Sequence, residues 1–129
     1  NSGIEKSDVD TINGHLTATA KDTAEIENWG KALNRSGIDF PYINSFKGTV
    51  GHCLAAAGSI ECVASILQFE KRQVYGNINC EDPHPEILKI IDSSRIPQNS
   101  ISHRPKFLAK ASFGFGDVNA CVIFGAFDD

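Results

Sequence analysis

Residues 46–71, FKGTVGHCLAAAGSIECVASILQFEK, set a lysine, a histidine and a cysteine just ahead of a nearly uncharged run. Lys47, His52 and Cys53 are residue types that perform acid–base and nucleophilic chemistry. A Cys–His nucleophile pair is the first arrangement to weigh, and the spacing opposes it. Adjacent residues on a helix point about 100° apart, so His52 cannot serve Cys53 while facing a shared substrate carbonyl. Cys53 instead suits apolar packing with Leu54 and Ala57, where burial keeps a thiol inert. A second histidine, His15, follows Gly14 as His52 follows Gly51. A lone histidine is ordinarily a plain polar residue and a lone lysine a surface one, so these groups matter only if the fold brings them together.

Other polar groups lie near the same segments. Asp22 and Glu25 fall in the first turn of a helical pattern, where carboxylates also simply favour the helix N-terminus. Thr17 and Thr19 alternate in an extended stretch, which puts both hydroxyls on one face; β-propensity accounts for them equally well. In SFGFGD, residues 112–117, Gly114 and Gly116 flank Phe115, and glycine lets a backbone approach a ligand closely. The bland alternative is a tight turn between strands.

The elements that must position these residues read as alternating strands and helices. A strand is expected over Val9–Asn13, ending at Gly14, and a helix over 21–34, where Ala24, Ile26, Trp29 and Leu33 recur at helical spacing. A short buried strand is expected over 40–45, then a long helix from about Val50 to Phe69, with Lys47 at the end of the strand before it. Residues 72–86 read as irregular, and 87–97 as a short helix or turn. Residues 106–127 read as two strands around the Gly-rich turn. The class is α/β with a mixed sheet. The long helix carries only Glu61 as a charge and shows aliphatic or small residues on nearly every face. An amphipathic surface helix has one apolar stripe, so this helix is expected to lie between two layers. The chain has strands for only one of them.

Composition narrows the function. A chain of 129 residues suits one domain. A net charge of −4 argues against nucleic acid as the main partner. An acidic carrier protein would need a local basic patch, for which Lys71–Arg72 and His103–Lys106 are candidates beside the reading of solvated surface charge. Cys53, Cys62, Cys80 and Cys121 have no metal-ligand spacing and suit a reducing, cytoplasmic setting. No signal peptide opens the sequence, and the apolar run is too interrupted by His52, Ser59, Glu61 and Ser65 for a membrane span.

Three ordered segments carry a family resemblance. NGHLTATAKDTAE (13–25), SFKGTVGHCLAAAG (45–58) and SFGFGDVNA (112–120) resemble the motifs of the β-ketoacyl-acyl-carrier-protein synthases, condensing enzymes of the thiolase superfamily. NINCEDPHPE (77–86) resembles that family's Asn-x-x-x-x-Asp-Pro connector. The resemblance implies a thiolase-like C-terminal half over 1–129, with a mixed sheet, a buried central helix and a C-terminal β-hairpin. It also implies an N-terminal half, and a first strand and helix of its own half, outside this sequence.

By the same resemblance, His15 and His52 donate hydrogen bonds to the thioester oxygen when malonyl-carrier loses carbon dioxide. Lys47 tunes the histidines, Glu25 pairs with Lys47, and Asp22 supports them. Thr17 and Thr19 bind the phosphopantetheine arm of acyl carrier protein. Phe113, Gly114, Phe115 and Gly116 border the acyl pocket, with Phe115 as gate and its N–H as an oxyanion donor. No bound cofactor is implied, because substrates arrive on acyl carrier protein. The implied partners are that carrier, the half supplying the nucleophilic cysteine, and a homodimeric or heterodimeric mate. Departures are Leu16 after the first histidine, a residue fewer before Asp22, Gly48 after Lys47 and Asp117 in the turn. The competing reading is a non-catalytic chain-length-determining subunit; such subunits tend to lose the histidines, and this sequence has both.

Overall fold

The computed structural model describes residues 2–127. A four-stranded mixed sheet has the order β2-β1-β5-β6, where β1 is Val9–Asn13, β2 Tyr42–Asn44, β5 Phe107–Gly114 and β6 Val118–Gly125. β1 runs parallel to both β2 and β5, and β5–β6 is an antiparallel hairpin. A pair of two-residue strands, β3 (Gln73–Val74) and β4 (Ile101–Ser102), forms a separate antiparallel ladder.

Side chains alternate across the sheet and so build two different layers. On one face, Ile12, Ile43 and Ala109 pack with Ile26 and Leu33 of helix α1 (Lys21–Leu33), together with Phe40, Ile91 and Ile96. This is the hydrophobic core. α1 stops where Asn34 turns left-handed (φ 56°), its N–H bonding back to the Gly30 carbonyl.

The opposite face is polar where it meets the long helix. Asn44, Asn13 and Lys110 sit side by side in register across β2, β1 and β5. Helix α3 (Ala57–Lys71) answers them one for one from positions on a single face. Asn44 Nδ2 donates to Gln68 Oε1 (2.8 Å), Asn13 Nδ2 to Ser65 Oγ (3.1 Å), and Lys110 Nζ lies 2.7 Å from Glu61 Oε2. All six residues are buried. The aliphatic residues of α3, Ile60, Val63, Ile66 and Leu67, point outward and stay exposed within this chain.

The expected strands and the first helix form where the sequence places them, as does the terminal hairpin. The long helix begins later than expected, at Ala57 rather than Val50. A short helix α2 (Lys47–Val50), a break at Gly51–Cys53 and a 3-10 turn at Leu54–Ala56 precede it. Gly51 (φ 73°) and Leu54 (φ 49°) are both left-handed, which interrupts any continuous helix. Lys47 therefore opens α2 instead of ending a strand, and His52 lies in a loop. Residues 87–97, expected as a short helix or turn, carry both: α4 (Pro85–Leu88) reaches into the segment and a 3-10 turn follows at Ser93–Arg95. No helix among the described residues is long and apolar enough to cross a membrane.

Gln68 ties the polar layer to the chain beyond α3, since its Oε1 also accepts the Tyr75 N–H at 2.9 Å. Gln68→Leu keeps the volume but strands the Tyr75 N–H and one Asn44 amide hydrogen, the other staying on the Tyr75 carbonyl, at a cost of about 1–3 kcal/mol. Urea unfolding should show a loss in that range, and wild-type stability would contradict it.

Candidate active site

The carboxyl ends of parallel strands are where α/β sheets bind ligands, and the predicted histidines gather at that edge. His15 follows β1 directly, and His52 follows α2. Their rings stand 5.5 Å apart, centroid to centroid, and nearly perpendicular at 82°. The Phe113 ring packs edge-on against His15 at 5.6 Å.

Each imidazole has its tautomer set by a backbone N–H. Leu54 N–H donates to His52 Nδ1 (3.1 Å), and Phe113 N–H approaches His15 Nδ1 at 3.5 Å. A ring nitrogen that accepts a hydrogen bond carries no proton, so in each neutral ring the proton sits on Nε2. The left-handed Leu54 that supplies one of these N–H groups costs about 1–3 kcal/mol in strain. Strain is thus located at the residue that orients His52.

Two carboxylates hold the His15 segment. Glu25 accepts the N–H groups of His15 (2.8 Å) and Leu16 (2.9 Å), and Asp22 those of Thr17 (3.0 Å), Ala18 (3.0 Å) and Thr19 (3.4 Å). Every backbone N–H from His15 to Thr19 is therefore received by a side chain of α1. The threonine hydroxyls do meet, 3.1 Å apart, but through a turn with Ala18 left-handed (φ 58°) rather than along an extended strand. Gly14 is required here: a Cβ on it would lie 2.9 Å from Leu16 Cγ and 3.0 Å from Glu25 Oε1. Burial pushes the Glu25 carboxyl up from its ordinary value, against the lowering effect of the two N–H groups.

The expected Lys47–Glu25 pair does not form. Glu25 is occupied with backbone donors, and Lys47 Nζ instead meets Glu61 Oε1 at 2.5 Å. Glu61's other oxygen faces Lys110, so one buried carboxylate lies between two buried ammonium groups. Sequence reasoning missed Glu61 and Lys110. The signal was there: Lys110 is the lone charge of β5 and Glu61 the one charge in α3 before its last two residues, and buried opposite charges must find each other. Asn77, which opens the Asn-x-x-x-x-Asp-Pro connector, gains a role the motif alone does not give: its amide accepts Ser45 N–H (3.0 Å) and donates to the Ile43 and Pro97 carbonyls. That fixes the strand end just before Lys47. Gly48 fits closely, since a Cβ there would stand 3.0 Å from the Ile78 carbonyl oxygen.

Phe115 stands fully exposed at the hairpin tip, with Gly116 (φ 77°) and Asp117 (φ 60°) left-handed after it. Aspartate tolerates that conformation better than most side chains. Phe113 is partly exposed, and Gly114 pairs with Val118 at the end of the ladder. Cys53 does not pack as expected: Leu54 is exposed, and the Cys53 thiol faces the Val50 and Gly51 carbonyls at 3.5 and 3.8 Å. The two basic segments are joined, His103 N–H donating to the Arg72 carbonyl (3.1 Å). They lie at the far end of α3 from His52, about 22 Å along a helix of this length, and acidic residues already engage part of them. Lys106 is 3.6 Å from Asp8 and His103 3.6 Å from Asp10. Among the described residues, no group of three or more His, Cys, Asp or Glu is placed to hold a metal ion.

Two outcomes are expected. Glu25→Gln offers the His15 and Leu16 N–H groups one acceptor oxygen in place of two, so their amide hydrogen exchange should accelerate while that of β1 does not. His15 should titrate below 6.5, because burial and then the nearby Lys47 and Lys110 charges disfavour its imidazolium. A depressed folded value means the unfolded chain binds more protons just below pH 6.5, so His15's contribution to stability is lost as pH falls through that window. An NMR titration of the ring resonances measures the midpoint.

Comparison with known proteins gives this geometry a context. The family model described as the β-ketoacyl synthase C-terminal domain matches residues 1–81. The chain is 35% identical over 127 residues to the chloroplastic 3-oxoacyl-[acyl-carrier-protein] synthase I of Arabidopsis thaliana, covering 97% of this chain and 25% of that protein. It is 35% identical over 116 residues to a Bacillus subtilis malonyl-ACP decarboxylase of polyketide biosynthesis, covering 89% and 26%. Among solved structures, a type II polyketide-synthase ketosynthase in complex with its acyl-carrier protein superposes with a TM-score of 0.80 at 32% identity, covering 97% and 30%. The ishigamide ketosynthase/chain length factor shares the fold with a TM-score of 0.86. The chain thus spans 25–30% of the length of these relatives. With its thiolase-like α/β fold and the family match over residues 1–81, this chain belongs to the β-ketoacyl synthase family and carries its C-terminal domain.

Proposed function

We propose that this chain supplies the decarboxylating half of the active site of a 3-oxoacyl-[acyl-carrier-protein] synthase. The observation that carries the reading is the histidine pair. Two imidazoles 5.5 Å apart each accept a backbone N–H at Nδ1, which leaves each with an Nε2–H to donate. In malonyl-carrier thioester the bond to the carboxylate breaks, carbon dioxide leaves, and the electron pair moves onto the thioester as an enolate. Two donors aimed at the thioester oxygen stabilise that developing charge. The enolate carbon then attacks an acyl group held as a cysteine thioester, and the cysteine leaves as thiolate.

That cysteine belongs to the N-terminal half of the complete enzyme in this reading. The exposed aliphatic side of α3, Ile60, Val63, Ile66 and Leu67, is where that half would pack. Thr17 and Thr19 would receive the phosphopantetheine arm of acyl carrier protein, with Phe113, Gly114, Phe115 and Gly116 bordering the acyl entrance. Four free cysteines suit a reducing compartment such as the cytoplasm. A relative named as a malonyl-ACP decarboxylase supports decarboxylation as the step served here. Retention of both histidines favours the catalytic reading over a chain-length-determining partner.

His52→Ala in the complete enzyme should lower carbon dioxide release from malonyl-carrier by about 10²–10³-fold while leaving acyl loading of the nucleophile largely intact. The two steps are assayed separately. Near-normal decarboxylation in the variant would overturn the reading.

A further inference from the structure

Of the two buried charges that lie outside the family motifs among the described residues, Glu61 and Lys110, the lysine is the one that pairing with Lys47 does not explain. It sits mid-strand in β5 with its side chain 1% exposed. A solitary ammonium in that position would be severely destabilising, so its surroundings must be built for it. Its Nζ meets Glu61 Oε2 at 2.7 Å as an ion contact rather than an aligned hydrogen bond. It also donates to the Ala111 carbonyl and to Ser112 Oγ (3.1 Å). Two hydrogen bonds and one ion contact thus surround the ammonium.

Those partners lead to the site from two directions. Through Glu61, Lys110 shares a carboxylate with Lys47. Through Ala111 and Ser112, it holds the two residues that immediately precede Phe113, whose N–H faces His15 Nδ1. In register it lies beside Asn13, two residues before His15.

We propose that Lys110 is a positioning residue for decarboxylation, which locks the Ala111–Ser112 segment so that Phe113 N–H meets His15 and, with Lys47, leaves the Glu61 cluster one positive charge in excess behind the histidines. This rests on the decarboxylating role proposed for the histidine pair. The titratable groups facing His15 are Lys47 from α2, Glu61 from α3, Lys110 from β5 and His52 from its loop, with Glu25 of α1 on its backbone. Counting ionised forms, two lysines and one glutamate sum to +1. Removing Lys110 makes the cluster neutral, and removing Glu61 as well restores +1.

That charge arithmetic separates the proposal from a plain packing role. In the complete enzyme, Lys110→Met should move the His15 titration midpoint, read by NMR, to higher pH, and should lower the decarboxylation kcat at least several-fold. The double variant Lys110→Met/Glu61→Gln should return the midpoint toward the wild-type value without restoring kcat, because the hold on Ser112 is still absent. Ser112→Ala leaves all three charges in place, so it reads the same link where Lys110→Met fails to fold: kcat should fall while the midpoint moves less than in Lys110→Met, since only the Phe113 N–H on His15 Nδ1 is loosened. An unchanged midpoint in Lys110→Met, or wild-type kcat in Ser112→Ala, would overturn the proposal. Absence of decarboxylation in the wild-type enzyme would instead sink the histidine reading, since the midpoint measurement does not depend on activity.

Discussion

One carboxylate, Glu61, determines how the rest of this domain can be assembled. It is 1% exposed and answers two ammonium groups, Lys47 from the helix before the His52 loop and Lys110 from the central hairpin strand. Three buried charges are tolerable only together, because each unpaired one would carry the full desolvation cost. The cluster therefore pins three chain segments, α2, α3 and β5, to one point. The adjacent Asn13–Ser65 and Asn44–Gln68 contacts extend that point into a polar seam between sheet and helix. A helix whose inward face is committed to this seam must carry its aliphatic residues elsewhere, and they lie on its outward side.

The seam has a counterpart on the other side of the sheet. There an ordinary apolar core supplies the stability, and α1 contributes Asp22 of its first turn and Glu25 just beyond it to the His15 loop instead of to its own capping. Asp22 and Glu25 convert an irregular run of five residues into a fixed surface. His52 is oriented differently, by a strained backbone at Leu54. Both rings also receive a backbone N–H at Nδ1, from Phe113 for His15 and from Leu54 for His52, so in each neutral imidazole the proton sits on Nε2. Agreement in outcome between independent local structures is what a shared chemical role for the two rings requires.

Much of this was legible in the residues. Val9–Asn13, the first helix and the Gly-rich hairpin follow from periodicity and turn chemistry, and the motif histidines do meet. What was not legible depended on tertiary pairing. Glu25 looked free to pair with Lys47 because sequence cannot reveal that its oxygens receive the N–H groups of His15 and Leu16. The start of α3 was misread because Ala55, Ala56 and Ala57 are good helix formers, while the break depends on positive φ at Gly51 and Leu54. Glu61 and Lys110 each looked like a single exception in an apolar run, and only the register of β1 and β5 shows that the two exceptions are one contact.

The central claim is that His15 and His52 present their Nε2–H groups to one oxygen. A crystal structure of the complete enzyme with a non-hydrolysable malonyl- or acetyl-thioester analogue tests it most directly. The account predicts both Nε2 atoms about 2.7–3.1 Å from the same carbonyl oxygen, with Leu54 N–H and Phe113 N–H still on the Nδ1 atoms. A carbonyl held by other donors, or a ring turned so that Nδ1 faces the ligand, would contradict it.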